Sequence, residues 1–299
     1  MGKLYTMGEA LIDMFEDKDH KFQPMVGGAP ANVAGHASLL GTDTYFIGMV
    51  GADMFGHMIK DTLEDCGVQL DFCFQTERAH TSLAFVRIGA RGERTFTFYR
   101  EPGADTLLED YMLDDIFFEQ DDILHFGSVA LSDSPTKVSH LAMIQKMMEA
   151  GGLISFDVNV RTMLWDNLDQ YRETILSFLR FADIVKVSEE DLGFISQGDI
   201  QSLFVGQVKW IILTKGKEGA SLYTKDLKVE VSGEDVDSID ATGAGDAFVG
   251  TFLHHFIQNN QPIDAYDEDE MKLLLDKANQ AAALSTTKLG ALPSNIDRD

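Results

Sequence analysis

Basic residues are scarce in this sequence, and their scarcity argues against several classes of partner. The 299 residues include 24 Lys and Arg against 49 Asp and Glu, which gives a formal net charge of −25 at pH 7. A field of that sign opposes binding to nucleic acids and to anionic membranes. It does not oppose a small anionic substrate, because a local cradle of amides, a lysine or a metal outweighs distant, screened charge.

Cysteines and long apolar runs are also scarce. Cys66 lies in a helix-like segment and Cys73 lies among apolar residues, so we expect two packed thiols rather than a disulfide. No apolar run is long enough to span a bilayer, and the first eight residues indicate a short strand rather than a signal peptide. The expected location is a reducing cytoplasm, with neither nucleic acid nor membrane as a partner.

The remaining composition predicts one compact α/β domain over residues 1–299. Hydrophobic residues make up 44% of the chain, enough for a sizeable core. Short strand-like runs alternate with helical patterns, which predicts a mostly parallel sheet flanked by helices. The predicted strands are 4–8, 44–48, 123–126, 153–157, 184–187 and 210–214. The predicted helices are 31–40, 55–66, 137–150, 169–181, 247–258 and 268–287.

One region departs from this alternation and predicts a β-hairpin. Residues 82–88 alternate like a strand, 89–92 supply a turn, and 94–100 resume the strand. Phe98 and Arg100 share one face of the second strand. The hairpin is either a lid that covers a substrate or an ordinary edge hairpin.

A run of small residues near the C-terminal end predicts an anion-binding turn. Between Asp240 and Asp246 these residues allow a tight turn, and a helix-like pattern follows at once. The amides of Gly243, Ala244 and Gly245 would then lie at a helix N-terminus, which attracts anions. Asp246 in that first turn is a candidate base for a hydroxyl proton, kept ionised by the helix end. The alternative is a glycine-rich turn with Asp246 as a capping residue.

A second glycine-containing segment lies near the N-terminal end. Gly27 and Gly28 leave room for a ligand against the backbone, and Pro30 suits the first turn of a helix. Asn32 offers a donor and an acceptor to a sugar hydroxyl, or else ties down the loop as a buried amide. Asp13 follows the first strand and can accept hydroxyl hydrogen bonds from a polyol, unless it is a solvated turn residue.

Polar side chains follow three of the predicted strands. Asp157, Lys186 and Thr214 lie at carboxyl ends, where ligands bind in open α/β sheets. Asn159 and Arg161 extend the first of these groups along the same side of an extended backbone. The acidic residues after Lys186 could organise hydrated Mg²⁺ and phosphate, or simply form an acidic helix N-terminus.

Together these segments resemble the ribokinase-like (PfkB-type) carbohydrate kinases over essentially the whole chain. The Asp240–Asp246 signature is highly specific, and within the family the likeness is greatest to bacterial fructokinases. It is carried by residues 27–34, 83–86, 98–105, 124–128, 155–161 and 186–191. The resemblance implies a three-layer α/β fold with a central, mostly parallel sheet and a small β-sheet lid. It also implies ATP-dependent phosphorylation of a ketohexose, D-fructose to fructose 6-phosphate.

The resemblance also implies a role for each matched position. The catalytic set is Asp246 as base, with Gly243, Ala244 and Gly245 as the anion hole. The sugar-side residues are Asp13, Gly27, Gly28, Asn32, Phe98, Arg100, Asn159 and Arg161. The nucleotide-side residues are Lys186, Ser188, Thr214, Gly216, Gly219, Gly245 and Asn279.

Two cations, Mg²⁺ and K⁺, accompany ATP in this resemblance. The implied K⁺ ligands are Asp240, Thr242, Ser285, Lys288, Gly290 and Ser294. Glu190 and Asp191 are the implied Mg²⁺ contacts, through water. The family's Asn-x-x-Glu pattern reads Ser188-Glu189-Glu190-Asp191 here, so the last carboxylate is one methylene shorter.

The lid is expected from segments near 14–26 and 70–104, and a homodimer is expected to form through it. Two other kinases stay open as alternatives, one for 2-keto-3-deoxygluconate and one for aminoimidazole riboside or another nucleoside. Phe98, where kinases of acidic keto-sugars often carry tyrosine, disfavours the first. A Rossmann-type oxidoreductase is disfavoured by the missing Gly-x-Gly-x-x-Gly after the first strand. A non-catalytic sugar sensor is disfavoured by Asp246 and the intact anion turn.

Overall fold

The computed structural model describes residues 2–17, 19–88 and 94–292. Its strands are β1 (Leu4–Met7), β2 (Leu11–Glu16), β3 (Phe22–Gly27), β4 (Thr44–Gly51), β5 (Cys73–Thr76), β6 (Leu83–Ile88), β7 (Arg94–Tyr99), β8 (Ile123–Gly127), β9 (Leu153–Asp157), β10 (Ile184–Ser188), β11 (Trp210–Thr214), β12 (Ala220–Tyr223) and β13 (Lys228–Val231). Its α-helices are α1 (Ala29–Leu39), α2 (Met54–Asp65), α3 (Pro135–Ala150), α4 (Leu168–Leu179), α5 (Glu189–Ser196), α6 (Ala244–Asn259) and α7 (Glu268–Ser285). Every strand and helix predicted from the sequence is present, with ends within about three residues of the prediction.

The large sheet has the strand order β13-β12-β11-β10-β9-β8-β1-β4-β5. All neighbouring strands from β11 to β5 in this spatial order pair in parallel. Strands β12 and β13 add an antiparallel edge beside β11. The carboxyl ends of β9, β10 and β11 therefore meet at one edge of the sheet, because parallel neighbours all point the same way.

Alternating side chains give the large sheet two buried faces. On β11, Trp210 and Ile212 pack in the core that includes residues of α6 and α7. Ile211 and Leu213 pack in the opposite core, which includes residues of α3, α4 and α5. Successive strand residues point to opposite faces, so both faces need a layer of helices. The prediction of a three-layer α/β fold is confirmed.

A separate small sheet has the order β3-β2-β6-β7. The β6–β7 pair is the predicted hairpin. The residues that connect the two strands, 89–93, lie outside the described residues. The interpretation of Asp13 as a solvated turn residue is wrong. It lies within β2, opposite Met25 of β3 and Ala84 of β6. Strand pairing on both sides therefore fixes the backbone of Asp13.

Both cysteines are buried thiols, as predicted. Cys66 follows the last turn of α2 and Cys73 begins β5, and neither is in a disulfide. Burial raises the pKa of each thiol to about 11. Thiols that stay protonated at neutral pH are poor nucleophiles, so their contribution is packing.

Within residues 2–17, 19–88 and 94–292, no helix combines the length and apolar character needed to cross a membrane.

Candidate active site

A cleft of about 460 Å³ lies where the carboxyl ends of the parallel strands face the small sheet and the starts of α1 and α6. It brings together most of the residues that the sequence singled out. Those in its lining are Asp13, Gly28, Asn32, Phe98, Asn159, Arg161, Lys186, Ser188, Glu190, Asp191, Thr214, Gly216, Thr242, Gly243, Ala244, Gly245 and Asp246.

The glycine-rich turn before α6 has the predicted form. Gly243 is the N-cap of α6 with a φ of 75°, in the left-handed region that favours glycine. A β-carbon at position 243 would also collide with Ala291. Position 243 therefore needs glycine for two reasons. Gly243, Ala244 and Gly245 all line the cleft, and the amide of Ala244 donates a long hydrogen bond of 3.4 Å to the carbonyl of Ala241.

Asn32 holds the candidate base directly. Its Nδ2 donates a hydrogen bond of 2.8 Å to Oδ2 of Asp246, 214 residues away in the chain. The Oδ1 atom of Asn32 is buried and has no hydrogen-bond partner among the described residues. Asn32 can therefore orient the carboxylate of Asp246 and still accept a hydrogen bond from a ligand hydroxyl.

Asp246 has a raised pKa, which corrects the expectation that the helix end keeps this carboxylate a weak base. Burial is the main cause, and it outweighs the hydrogen bond from Asn32 and the charges of Lys186, Arg161 and His36. A carboxylate desolvated in this way is a stronger base than a solvated one.

A buried ion pair lies beside the anion turn. Lys186 Nζ is 3.2 Å from both carboxylate oxygens of Asp157, and the two side chains are paired by the register of β10 on β9. Burial raises the pKa of Asp157 to about 6. Burial acts to lower the pKa of Lys186, but Asp157, Asp191 and Asp246 outweigh it and the pKa is raised. Lys186 therefore stays charged at neutral pH.

The ammonium of Lys186 adjoins the first turn of α6. A β-carbon built on Gly245 would lie 3.3 Å from Lys186 Nζ, so a side chain at 245 would crowd the space between them. The start of α6 and the positive charge of Lys186 thus border the same part of the cleft. That combination suits a phosphoryl group, even in a chain of net negative charge.

Two glycines, Gly27 and Gly28, precede α1 and are closely packed against neighbouring residues. Gly28 has a φ of 104°, and a β-carbon there would lie 2.5 Å from the carbonyl oxygen of Glu9. A β-carbon on Gly27 would collide with the carboxylate of Asp13. Both positions therefore need glycine because protein atoms lie where a side chain would begin, and of the two only Gly28 is in the cleft lining. The approach of a ligand to this backbone stays a prediction.

The two predicted sugar-side arginines differ in their surroundings. Arg161 lies in the cleft lining. The structure does not bring Arg100 into that lining, because its guanidinium is bound elsewhere. It is 2.6 Å from Oδ2 of buried Asp105 and donates to the carbonyl of Val129 at 3.2 Å. Arg100 thus ties the end of β7 to the body of the protein.

Glu9 is a cleft residue that the sequence did not single out. Its side chain is buried, and its Oε1 accepts a hydrogen bond of 3.3 Å from the amide of Ala29 at the start of α1. Burial raises the pKa of this carboxyl to about 7, and Arg100 opposes that rise. Nothing in the local sequence around Glu9 distinguishes it from a loop residue after β1.

A second cavity, of about 390 Å³, adjoins the cleft and contains the predicted nucleotide-side residues Thr214, Gly216, Gly219, Gly245 and Asn279. Its walls also include residues that sequence reasoning missed: Val236, Phe248, Ala282 and Ala283. Apolar walls of this kind suit a flat base. The cavity and the cleft share Thr214, Gly216, Ala244 and Gly245, so the anion turn lies at their junction.

The loop after α7 contacts Asp240, one of the predicted K⁺ ligands. Asp240 is buried, and its carboxylate accepts hydrogen bonds from Thr242 and from the amide of Gly290 at 3.0 Å. Ser285 is the last residue of α7, and in the turn that follows the amide of Lys288 donates to the Ser285 carbonyl. Ser294 lies outside the described residues. A buried carboxylate tied to a loop that supplies hydroxyl and carbonyl oxygens fits a hard monovalent cation.

The predicted Mg²⁺ contacts are not equivalent. Both carboxylate oxygens of Asp191 accept hydrogen bonds from backbone amides. Glu190 is exposed at the edge of the cleft. Groups of three or more His, Cys, Asp and Glu suited to a metal are absent from the described residues.

Comparison with known proteins decides the family. Residues 1–298 match the model of the pfkB family carbohydrate kinases. The chain belongs to that family. Fructokinase-2 from rice (Oryza sativa subsp. japonica) is 39% identical over 302 residues, spanning 97% of this chain and 89% of that protein.

Solved structures of the same family agree in fold. A double mutant of fructokinase from Vibrio cholerae O395, with fructose, ADP and potassium ion bound, superposes with a TM-score of 0.88 at 32% identity. That match covers 98% of this chain and 95% of the other. Aminoimidazole riboside kinase from Salmonella enterica, with its riboside and an ATP analogue, gives a TM-score of 0.87 at 30% identity, covering 98% and 96% of the two chains.

These matches confirm the predicted ribokinase-like fold and the prediction of a carbohydrate kinase. They exclude the alternative of a Rossmann-type oxidoreductase, because the match to the kinase family spans residues 1–298.

Proposed function

We propose that this pfkB-family kinase transfers the γ-phosphoryl group of ATP to the 6-hydroxyl of D-fructose. The observation that carries the proposal is the meeting of the two cavities at the anion turn, with Asp246 on the sugar side of it. The fructokinase relatives, and a fructose-bound neighbour at a TM-score of 0.88, support fructose as the acceptor.

The sugar would lie against Gly28, between Asp13 and Asn32. Asp246, held by Asn32, accepts the proton of the attacking hydroxyl. The hydroxyl oxygen bonds to the γ-phosphorus while the bond from that phosphorus to the bridging oxygen breaks, and ADP leaves. Because such transfer is largely dissociative, positioning and charge stabilisation contribute more than proton removal.

Charge on the transferring group is stabilised by groups already in place. The amides of Gly243, Ala244 and Gly245 and the ammonium of Lys186 surround the position of the γ-phosphoryl group. Being fixed before the reaction, they need no reorganisation in the transition state. Mg²⁺ held through water near Glu190 would neutralise the β- and γ-phosphates of ATP, and K⁺ beside Asp240 would steady the anion turn.

The small sheet is proposed as a lid on a single kinase domain spanning residues 1–299. The lid carries Phe98 into the cleft lining. On the lid, Phe22, Phe85 and Tyr99 form edge-to-face contacts, and Phe22 and Tyr99 are 43% and 63% exposed. An exposed aromatic strip of this kind supports the proposal of a homodimer formed through the lid.

Phe22→Asp is expected to separate the dimer into monomers, because it places a charge in the proposed contact. The mass by light scattering should fall from that of two chains to the 33.1 kDa of one. Phe117→Asp is the control, since Phe117 is exposed but lies outside the small sheet. A monomeric wild-type protein at micromolar concentration would contradict the dimer.

The cytoplasm is the proposed location, supported by two buried cysteines that are not disulfide-bonded. A riboside is the second candidate acceptor, favoured by the similarity to the Salmonella enterica kinase. An acidic keto-sugar is less well supported, since Arg100 is engaged by Asp105 and, of the two predicted sugar-side arginines, Arg161 alone is in the cleft lining.

Fructose, 2-keto-3-deoxygluconate and aminoimidazole riboside should be compared in one ATP-turnover assay. We expect the highest kcat/KM for fructose, with fructose 6-phosphate as the product. A higher kcat/KM for the riboside would replace the proposed acceptor and leave the phosphoryl-transfer site unchanged.

A further inference from the structure

Asp191 joins two parts of the active site that are distant in sequence. It lies in the first turn of α5 and is only 4% exposed. Its Oδ2 accepts from the amide of Ser188 at 2.8 Å, while its own amide donates to Ser188 Oγ, which forms a capping box. Its Oδ1 accepts a second hydrogen bond of 2.8 Å from the amide of Val160, 31 residues earlier.

Val160 belongs to a loop that needs support. The preceding residue, Asn159, has a φ of 37°, in a region that residues other than glycine rarely occupy. The following residue, Arg161, lies in the cleft lining and donates from its amide to the hydroxyl of Tyr171 at 3.0 Å. Asp191 binds this loop from the α5 side, so it connects the nucleotide-side strand end to a sugar-side residue.

These contacts make Asp191 a poor direct metal ligand. Each of its oxygens already faces a backbone amide, and moving either one toward a cation would leave a buried amide without a partner. Glu190, one residue earlier, is exposed at the cleft. The shorter Asp side chain at 191 is thus used to cap α5 and to hold the loop.

We propose that Asp191 is a positioning residue that fixes the Asn159–Arg161 loop against α5, and through Arg161 sets the affinity for the sugar. The inference rests on the proposed function for its kinetic part only. Its structural part, the protection of the Val160 amide, can be measured without any substrate.

Asp191→Ala should raise the KM for fructose about tenfold, the scale expected for a lost hydrogen bond to a charged group. The Mg²⁺ concentration for half-maximal activity should stay unchanged. Asp191→Asn retains one acceptor and should give a smaller rise. Glu189→Gln, on the same turn and exposed, removes the same charge without these contacts and should leave the KM for fructose unaltered.

Hydrogen–deuterium exchange gives a second readout in the absence of sugar and nucleotide. The amide of Val160 should exchange faster in Asp191→Ala than in the wild type. If Asp191→Ala fails to fold, Asp191→Asn takes its place and should show the same change. Exchange in Glu189→Gln should match the wild type. Unchanged exchange of the Val160 amide in the folded Asp191 variants would overturn the proposal. So would a raised Mg²⁺ requirement with recovery of activity at high Mg²⁺, which would make Asp191 a metal contact. If the wild type phosphorylates a different sugar, the exchange result still stands.

Discussion

Asp246→Asn is expected to lower the kcat for sugar phosphorylation by about 10²- to 10⁴-fold, the range of general acid–base contributions. The amide that replaces the carboxylate has the same shape and can still accept the hydrogen bond from Asn32. It cannot accept the hydroxyl proton. The KM values for sugar and ATP should therefore change little, which distinguishes a lost base from a disturbed pocket.

The pH dependence of the wild type checks the same assignment. Asp246 must be ionised to act, and its raised pKa places the acid limb of the activity profile above the pH where a solvated aspartate would titrate. Activity should fall as the pH drops through that pKa. Asp237→Asn, an exposed carboxylate in the preceding loop, is the matched control and should retain wild-type turnover. Near-normal turnover in Asp246→Asn would show that the assignment is wrong.

Lys186→Met is expected to reduce both stability and activity. It leaves Asp157 buried without its ion-pair partner, and breaking a buried pair costs about 3–5 kcal/mol in the free energy of unfolding. The loss of unfolding free energy should be large at pH 8 and smaller at pH 5. Without Lys186 the already raised pKa of Asp157 rises further, so a proton neutralises the carboxylate at low pH and the stability is lost as the pH rises.

The double variant Lys186→Met/Asp157→Asn separates the two consequences. Removing both charges should restore most of the unfolding free energy measured in urea, because no unpaired buried charge remains. Phosphoryl transfer should stay impaired, since the ammonium beside Gly245 is still missing. Recovery of full activity in the double variant would mean that Lys186 serves only the fold.

The sequence was sufficient for features that depend on local pattern. Short apolar runs located the parallel strands, and polar residues at their carboxyl ends, such as Asp157 and Lys186, lie at the cleft. The small residues before Asp246 predicted the turn at the start of α6, because a left-handed Gly243 is a local requirement.

Contacts between distant residues could not be read in the same way. The Asn32–Asp246 bond and the Asp157–Lys186 pair depend on how strands and helices are placed in space, not on sequence spacing. Arg100 was a sugar-side residue by resemblance, and no local pattern shows that its guanidinium pairs with buried Asp105.

Five short strands, β2, β3, β5, β12 and β13, are absent from the strands predicted by pattern, and β2 and β3 show why. β2 contains Asp13 and Glu16, and β3 contains Gln23 and Pro24, so neither shows a clear apolar alternation. Both take their place in the small sheet from pairing with each other and with β6. Tertiary pairing thus decided a structure that local propensity does not favour.

A crystal structure of the wild-type chain with fructose and a non-hydrolysable ATP analogue would locate the reacting atoms relative to Asp246 and the anion turn. We expect the 6-hydroxyl within about 3 Å of an Asp246 carboxylate oxygen, which is hydrogen-bond distance. The γ-phosphate should lie at the amides of Gly243–Gly245, next to Lys186. A γ-phosphate bound away from that turn, or a sugar whose reacting hydroxyl faces another residue, would contradict the proposed mechanism.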